Sequence, residues 1–177
     1  MIGVLSILSG IFYTAGARPL GYLGLGEIFV FIFFGPVAVA GTYYVQSLEI
    51  NSIVILGGLG PGFLSMAILV VNNLRDIKTD KKSNKKTLAV RFGETFARCE
   101  YLGAILAAAL TPVLIFIIAG DDFLRNILPS MIVCFLAIPT INTVFTKTDG
   151  PSLNHALAQT ARLLLIYSIL FSAGWIL

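Results

Sequence analysis

The sequence predicts an all-α fold, a polytopic bundle of transmembrane helices. Three observations lead there. Of its 177 residues, 57% are hydrophobic and only 12% are charged, against about 25% charged in a soluble domain. Mean hydropathy is +0.92. The chain also divides into apolar runs of the length, about 20 residues, that a helix needs to cross a bilayer. Together these exclude a disordered chain and an ordinary cytosolic enzyme. Twelve of the charged residues lie between positions 75 and 100. The pI near 9.0 therefore belongs to one loop, and nucleic acid is not an expected partner.

The elements follow in order. Residues 1–13 are apolar but too few to cross alone. Ala15-Gly16-Ala17 resembles a signal-peptide cleavage site, yet a signal peptide opens with basic residues and the first here is Arg18. The preferred reading is the tail of a helix that begins upstream. Further spans are expected at about 27–46, 53–74, 100–119, 126–145 and 155–177. That makes about six helices, the first incomplete, in a single domain over 1–177. Gly58 and Gly62 have the spacing that lets helix backbones approach closely. Pro36, Pro61, Pro112 and Pro139 fall within spans, where neighbouring helices satisfy the carbonyls they free. Arg162 sits near the start of the last span, where it either snorkels to the interface or faces a cavity or partner. Asn142 and Gln159 are expected to bond between helices, and Ser152 to cap the last one.

Basic residues orient the bundle. Loops 14–26, 74–99 and 146–155 carry ten Lys or Arg, while 47–52 and 120–126 carry only Arg125. By the positive-inside rule the first three are cytoplasmic, and the expected place is a cell inner membrane. Cys99 and Cys134 form no CxxC, and a lone His155 builds no metal cluster.

Chemistry concentrates in Asn72-Asn73-Leu74-Arg75-Asp76-Ile77-Lys78-Thr79-Asp80, expected to continue its helix out of the membrane. Residues four apart share a helix face, so Asn72, Asp76 and Asp80 align, with Asn73 one turn below Asp76. Two carboxylates and amide oxygens suit Mg2+, which is usually held by one or two carboxylates plus substrate phosphates. Lys81, Lys82, Lys85, Lys86 and Arg91 follow and could hold diphosphate oxygens. A basic loop that only attracts anionic lipid would explain the lysines but not the two aspartates.

These residues resemble a known family. Asn72-Asn73-x-Arg75-Asp76-x3-Asp80, then Lys85-x-Thr87-Leu88-Ala89-Val90-Arg91-Phe92-Gly93, is similar to the second aspartate-rich motif of UbiA-type aromatic prenyltransferases. The ending Gly93-Glu94-x-x-Ala97-Arg98 resembles the 1,4-dihydroxy-2-naphthoate polyprenyltransferase branch, which serves menaquinone synthesis. So does a second block, Tyr13-Thr14-Ala15-Gly16-Ala17-Arg18-Pro19-Leu20-Gly21-Tyr22, with Gly26-Glu27 and Gly35-Pro36-Val37-Ala38-Val39-x-Gly41-Thr42-Tyr43-Tyr44 after it.

The resemblance implies a UbiA-like bundle of nine membrane helices, of which this chain resembles the later ones. It further implies Mg2+-dependent transfer of a polyprenyl chain from its diphosphate to an aromatic acceptor, 1,4-dihydroxy-2-naphthoate. Asp76 and Asp80 would hold the metal. Asn72, Asn73, Arg75 and Lys85 would support it or bind the diphosphate, with Tyr13 and Arg18 lining the cavity near the reacting carbon. The family's first aspartate motif has no counterpart here, and Asp121-Asp122 lies on the opposite face. The missing N-terminal helices would be a separate or lost segment.

Two other classes share part of this pattern. A CDP-alcohol phosphatidyltransferase also uses metal-bound aspartates, but position 72 is Asn where its signature has Gly, and no Asp-Gly-x-x-Ala-Arg segment precedes it. A non-catalytic membrane subunit with a lipid-binding basic loop would need the lysines and not Asp76 or Asp80.

Overall fold

The computed structural model describes residues 22–177 apart from 121, together with Gly3, Val4, Ile7 and Gly10, and gives residues 122–124 as backbone only. Tyr13, Arg18, Asp121 and most of the expected span 1–13 lie outside the described residues. Among those described, every regular element is helical. Five helices are long and apolar enough to cross a membrane: Gly26–Ser47, Ser52–Arg75, Leu88–Ala119, Arg125–Thr146 and Gly150–Ile176.

The first of these is not one smooth helix. Gly26–Ile32 passes into a π turn, Phe33–Val37, before Ala38–Ser47 resumes. Pro36 is the cause, because proline lacks an N–H and its ring clashes with the carbonyl one turn back. The second helix starts on Asn51, whose Oδ1 accepts from the Val54 N–H at 2.9 Å. It is interrupted at Gly58 and runs on as Leu59–Arg75. These two interruptions face each other. A Cβ on Gly35 would lie 2.6 Å from the Gly58 carbonyl oxygen and 2.7 Å from Gly62 Cα. The helices thus meet backbone to backbone, as small residues at membrane interfaces allow.

The third helix, Leu88–Ala119, begins twelve residues before the expected span at 100. Thr87 caps it, accepting from the Val90 N–H at 3.3 Å. The opening turn carries Arg91, and Glu94 and Arg98 follow, so hydropathy alone reads the stretch as loop. The turn is set off from the rest at Gly93, where φ 87 and ψ 175 is backbone that favours glycine. The fourth crossing opens as a 3-10 helix, Asp122–Ile132, and continues as Val133–Leu136 and Ile138–Thr146.

The fifth helix is Gly150–Ile176, and its cap corrects an expectation. Asp149, not Ser152, is the N-cap, accepting the Ser152 N–H at 2.9 Å. That bond holds the exposed Asp149 carboxyl below the usual carboxylate range. Gln159 likewise bonds His155 of its own helix, at 3.2 Å, rather than a neighbouring helix.

Leu59–Arg75 is central. It packs against Leu88–Ala119, Gly150–Ile176 and Gly26–Ile32. Its buried Leu64, Ala67, Val70 and Val71 meet a core that includes Tyr101, Ile105, Ala108 and Tyr167. Some buried hydroxyls in the core find partners, while that of Tyr167 has none among the described residues. Tyr101 and Thr160 share a hydroxyl bond at 3.0 Å, and the Thr160 hydroxyl donates to the Ala156 carbonyl in its own helix at 2.8 Å.

Candidate active site

Four hydrogen bonds gather the polar segments at one end of the bundle. The Lys86 N–H donates to the Tyr22 carbonyl at 3.0 Å. The Arg91 guanidinium donates to the Leu23 carbonyl at 2.8 Å. Arg98 Nε donates to the Val144 carbonyl at 3.1 Å. An Arg75 Nη donates to Asn154 Oδ1 at 2.5 Å. Residues 22–26, the stretch from 75 to 98, and the start of the last helix therefore share one end.

The aspartate pair sits in that end. The helix does not continue unbroken through it, as the spacing suggested. It stops at Arg75, Asp76 takes φ −95 and ψ 7, and a short helix Ile77–Lys82 follows. The four-residue ladder nevertheless persists. The Asp76 N–H donates to the Asn72 carbonyl at 3.1 Å, and the Asp80 N–H to the Asp76 carbonyl at 2.8 Å. Asp76 and Asp80 are therefore one turn apart despite the break.

Each aspartate already faces a cation. Arg75 forks onto Asp76, with Nε to Oδ1 at 2.8 Å and Nη2 to Oδ2 at 2.6 Å. The same Nη2 reaches Asn72 Oδ1 at 2.8 Å. This fork holds the Asp76 carboxyl below the usual carboxylate range, against the opposing effect of partial burial. Lys85 Nζ lies 3.0 Å from Asp80 Oδ2, and Asp80 is only 8% exposed. Lys78, Lys81, Lys82 and Lys86 are exposed.

Asn73 bonds to a residue of another helix. Its side chain is buried and Nδ2 donates to Glu27 Oε1 at 2.7 Å. Glu27 comes from the first turn of Gly26–Ile32, and both residues are 3% exposed. Asn73 Oδ1 and Glu27 Oε2 are buried without a hydrogen-bond partner among the described residues, as is Glu100 Oε2.

Among the described residues no three His, Cys, Asp or Glu side chains form a ready metal cluster. The donor set is nonetheless of the type a hard cation takes, two carboxylates one turn apart. The orphaned buried oxygen of Asn73 fits the same chemistry, since a buried polar atom without a partner is costly. An open apolar cavity of about 1600 Å³ runs along the first helix from Phe29 to Ile50 at the far end, with Phe33, Phe34, Ile55 and Leu69 in its lining; none of Asn73, Asp76, Asp80 or Lys85 lines it.

Two site residues escaped the sequence reading. Glu27 appeared only inside a matched block, and a carboxylate opening an apolar run was its one signal. Asn154 fell within the expected cytoplasmic loop 146–155, and nothing in its neighbourhood pointed to Arg75.

A bundle of membrane-spanning helices with an aspartate pair and basic residues gathered at one end defines a class of integral membrane protein. The UbiA prenyltransferase family model matches residues 1–169, and this chain belongs to that family. It is 41% identical over 173 residues to 1,4-dihydroxy-2-naphthoate octaprenyltransferase of Haemophilus influenzae, covering 98% of this chain and 56% of that protein. The Escherichia coli protein of the same name is 35% identical over 174 residues, with the same coverages. Mouse UbiA prenyltransferase domain-containing protein 1 is 30% identical over 171 residues, covering 96% of this chain and 48% of that protein. The chain spans about half the length of the relatives it matches.

Proposed function

We propose that this chain forms the aspartate-bearing part of an enzyme that transfers a polyprenyl group from an allylic diphosphate to 1,4-dihydroxy-2-naphthoate, giving the quinol form of demethylmenaquinone. The observation that carries the reading is the pairing of Asp76 with Arg75 and of Asp80 with Lys85 at one end of an apolar helical bundle. The naming of the relatives supports the acceptor. The site faces the cytoplasm of a bacterial inner membrane, as the distribution of basic residues argues.

Each part has a task in this chemistry. Asp76 and Asp80, with Asn73, would hold Mg2+, which supplies Lewis-acid neutralisation of the charge developing on the leaving diphosphate. Arg75 suits bidentate contact with phosphate oxygens, and Lys85 acts as a point charge. Asn72 keeps Arg75 in place. Tyr13 and Arg18 are assigned to the cavity on family resemblance. The allylic C–O bond breaks with its electron pair leaving on diphosphate. The aromatic ring supplies the pair for the new C–C bond, and the carboxylate departs as carbon dioxide. Phe29, Phe33 and Phe34 give the polyprenyl chain an apolar groove and keep water from the allylic cation.

The test is prenyl transfer by the protein purified from its own membrane. Asp76→Asn and Asp80→Asn should each lower turnover at least 100-fold while the protein still inserts. Wild-type rates in both variants would remove the site assignment.

A further inference from the structure

Glu27 is the least expected residue at this end of the bundle. It opens an apolar helix, yet its carboxyl is buried rather than turned to water. Burying an ionised carboxylate is costly unless it is paired. The helix N-terminus favours a negative charge there, but a single amide donor at 2.7 Å is a modest partner.

The neighbour is Asn73, a terminal amide with one donating and one accepting end. Glu27 is a pure acceptor when ionised, so the amide nitrogen must turn toward it. Its nitrogen committed, Asn73 leaves Oδ1 as its outward-acting atom, buried and unpartnered among the described residues. Asn73 lies three residues before Asp76 and seven before Asp80, positions that fall on one helical stripe. The backbone ladder carries that stripe across the break at Asp76.

We propose that Glu27 is a positioning residue for the cation site, acting through Asn73. It locks the amide so that Oδ1 is offered, on the aspartate stripe, to the cation held by Asp76 and Asp80. This rests on the metal–diphosphate reading above and extends it to a residue on a different helix. Hydrogen-bonded partners of metal ligands orient them and typically change metal affinity by 10–100-fold when removed.

The carboxylate matters here, and not the shape. In Glu27→Gln the new amide can accept from Asn73 Nδ2 as before, but it can also donate to Asn73 Oδ1 with the amide reversed. The orientation is no longer fixed, and Oδ1 is left for the cation in only part of the molecules. Glu27→Asp keeps an acceptor-only group on a shorter arm.

The test is Mn2+ binding followed by electron paramagnetic resonance, with inorganic pyrophosphate present, on detergent-solubilised protein. Glu27→Gln should weaken Mn2+ binding roughly tenfold, with thermal unfolding little changed and Glu27→Asp recovering part of the loss. In an Asn73→Ala background, Glu27→Gln should add nothing. Wild-type affinity in Glu27→Gln, with Asp80→Asn weakened, overturns the role of Glu27 and leaves the metal site standing. Full affinity in both variants overturns the metal reading itself. A loss that adds in full to that of Asn73→Ala shows that Glu27 does not act through Asn73. If Glu27→Gln does not purify folded, Glu27→Asp decides, with an intermediate loss expected and unchanged affinity overturning the proposal.

Discussion

Arg75 and Asp76 are consecutive in the chain and still form a two-point ion pair, at 2.8 and 2.6 Å. Neighbours on a regular helix diverge by a large angle and do not face each other. The pair forms because the helix breaks there, at φ −95 and ψ 7 of Asp76. The break that disturbs the ideal spacing is thus what brings a guanidinium onto the first aspartate.

Removing that guanidinium should shift an acid transition. The Asp76 pKa is lowered chiefly by the Arg75 hydrogen bonds. A lowered carboxyl contributes stability that is present above its unfolded pKa and is lost as pH falls through its folded pKa. Arg75→Gln should therefore move the acid-unfolding midpoint of the detergent-solubilised protein to higher pH. Stability near pH 7 should fall by at most about 1 kcal/mol, because the pair is partly open to water. Circular dichroism against pH checks both.

Asn154 ties this pair to the last helix through Arg75. Asn154→Ala should cost about 1 kcal/mol of stability. If Arg75 serves the diphosphate, KM for the prenyl donor should rise several-fold with kcat little altered. Steady-state kinetics separate the two, and a change confined to kcat would contradict the assignment.

The glycine contact should tolerate no side chain. A Cβ on Gly62 would lie 2.8 Å from the Phe31 carbonyl oxygen and 3.0 Å from the Phe31 ring. Gly62→Ala should destabilise the bundle by about 1–3 kcal/mol, the usual range for overpacking, read as a lower unfolding temperature. Gly103→Ala, where nothing lies within 4 Å of the added carbon, is the control and should leave that temperature unchanged.

The lysines divide into two groups. Lys85 is on Asp80, whereas Lys81, Lys82 and Lys86 are exposed. Lys85→Gln should weaken pyrophosphate binding by tenfold or more. Neutralising the other three should lower only the salt-sensitive binding to anionic lipid vesicles, by about 1 kcal/mol for each charge removed. Calorimetry and vesicle sedimentation measure the two.

Much of the fold could be read from the sequence because apolar length is a local property. The charged beginning of Leu88–Ala119 was hidden, since a window of hydropathy cannot distinguish a charged first turn from a loop. At the site, Asp76, Asp80 and Lys85 were legible from spacing within one segment. Glu27 with Asn73, and Arg75 with Asn154, were not. Their partners lie 46 and 79 residues apart, and only the way the helices pack decides that they meet.

The Glu27–Asn73 bond also bears on how the chain enters the membrane. Its two residues stand at the same end of the first hairpin of helices, with the 48–51 connection at the other. As the polypeptide emerges from the ribosome, the first helix is complete well before Asn73 has been made. Until the second helix has crossed back, the Glu27 carboxylate has no amide to meet and stays hydrated at the surface. Its withdrawal from water marks the moment at which the hairpin closes in register.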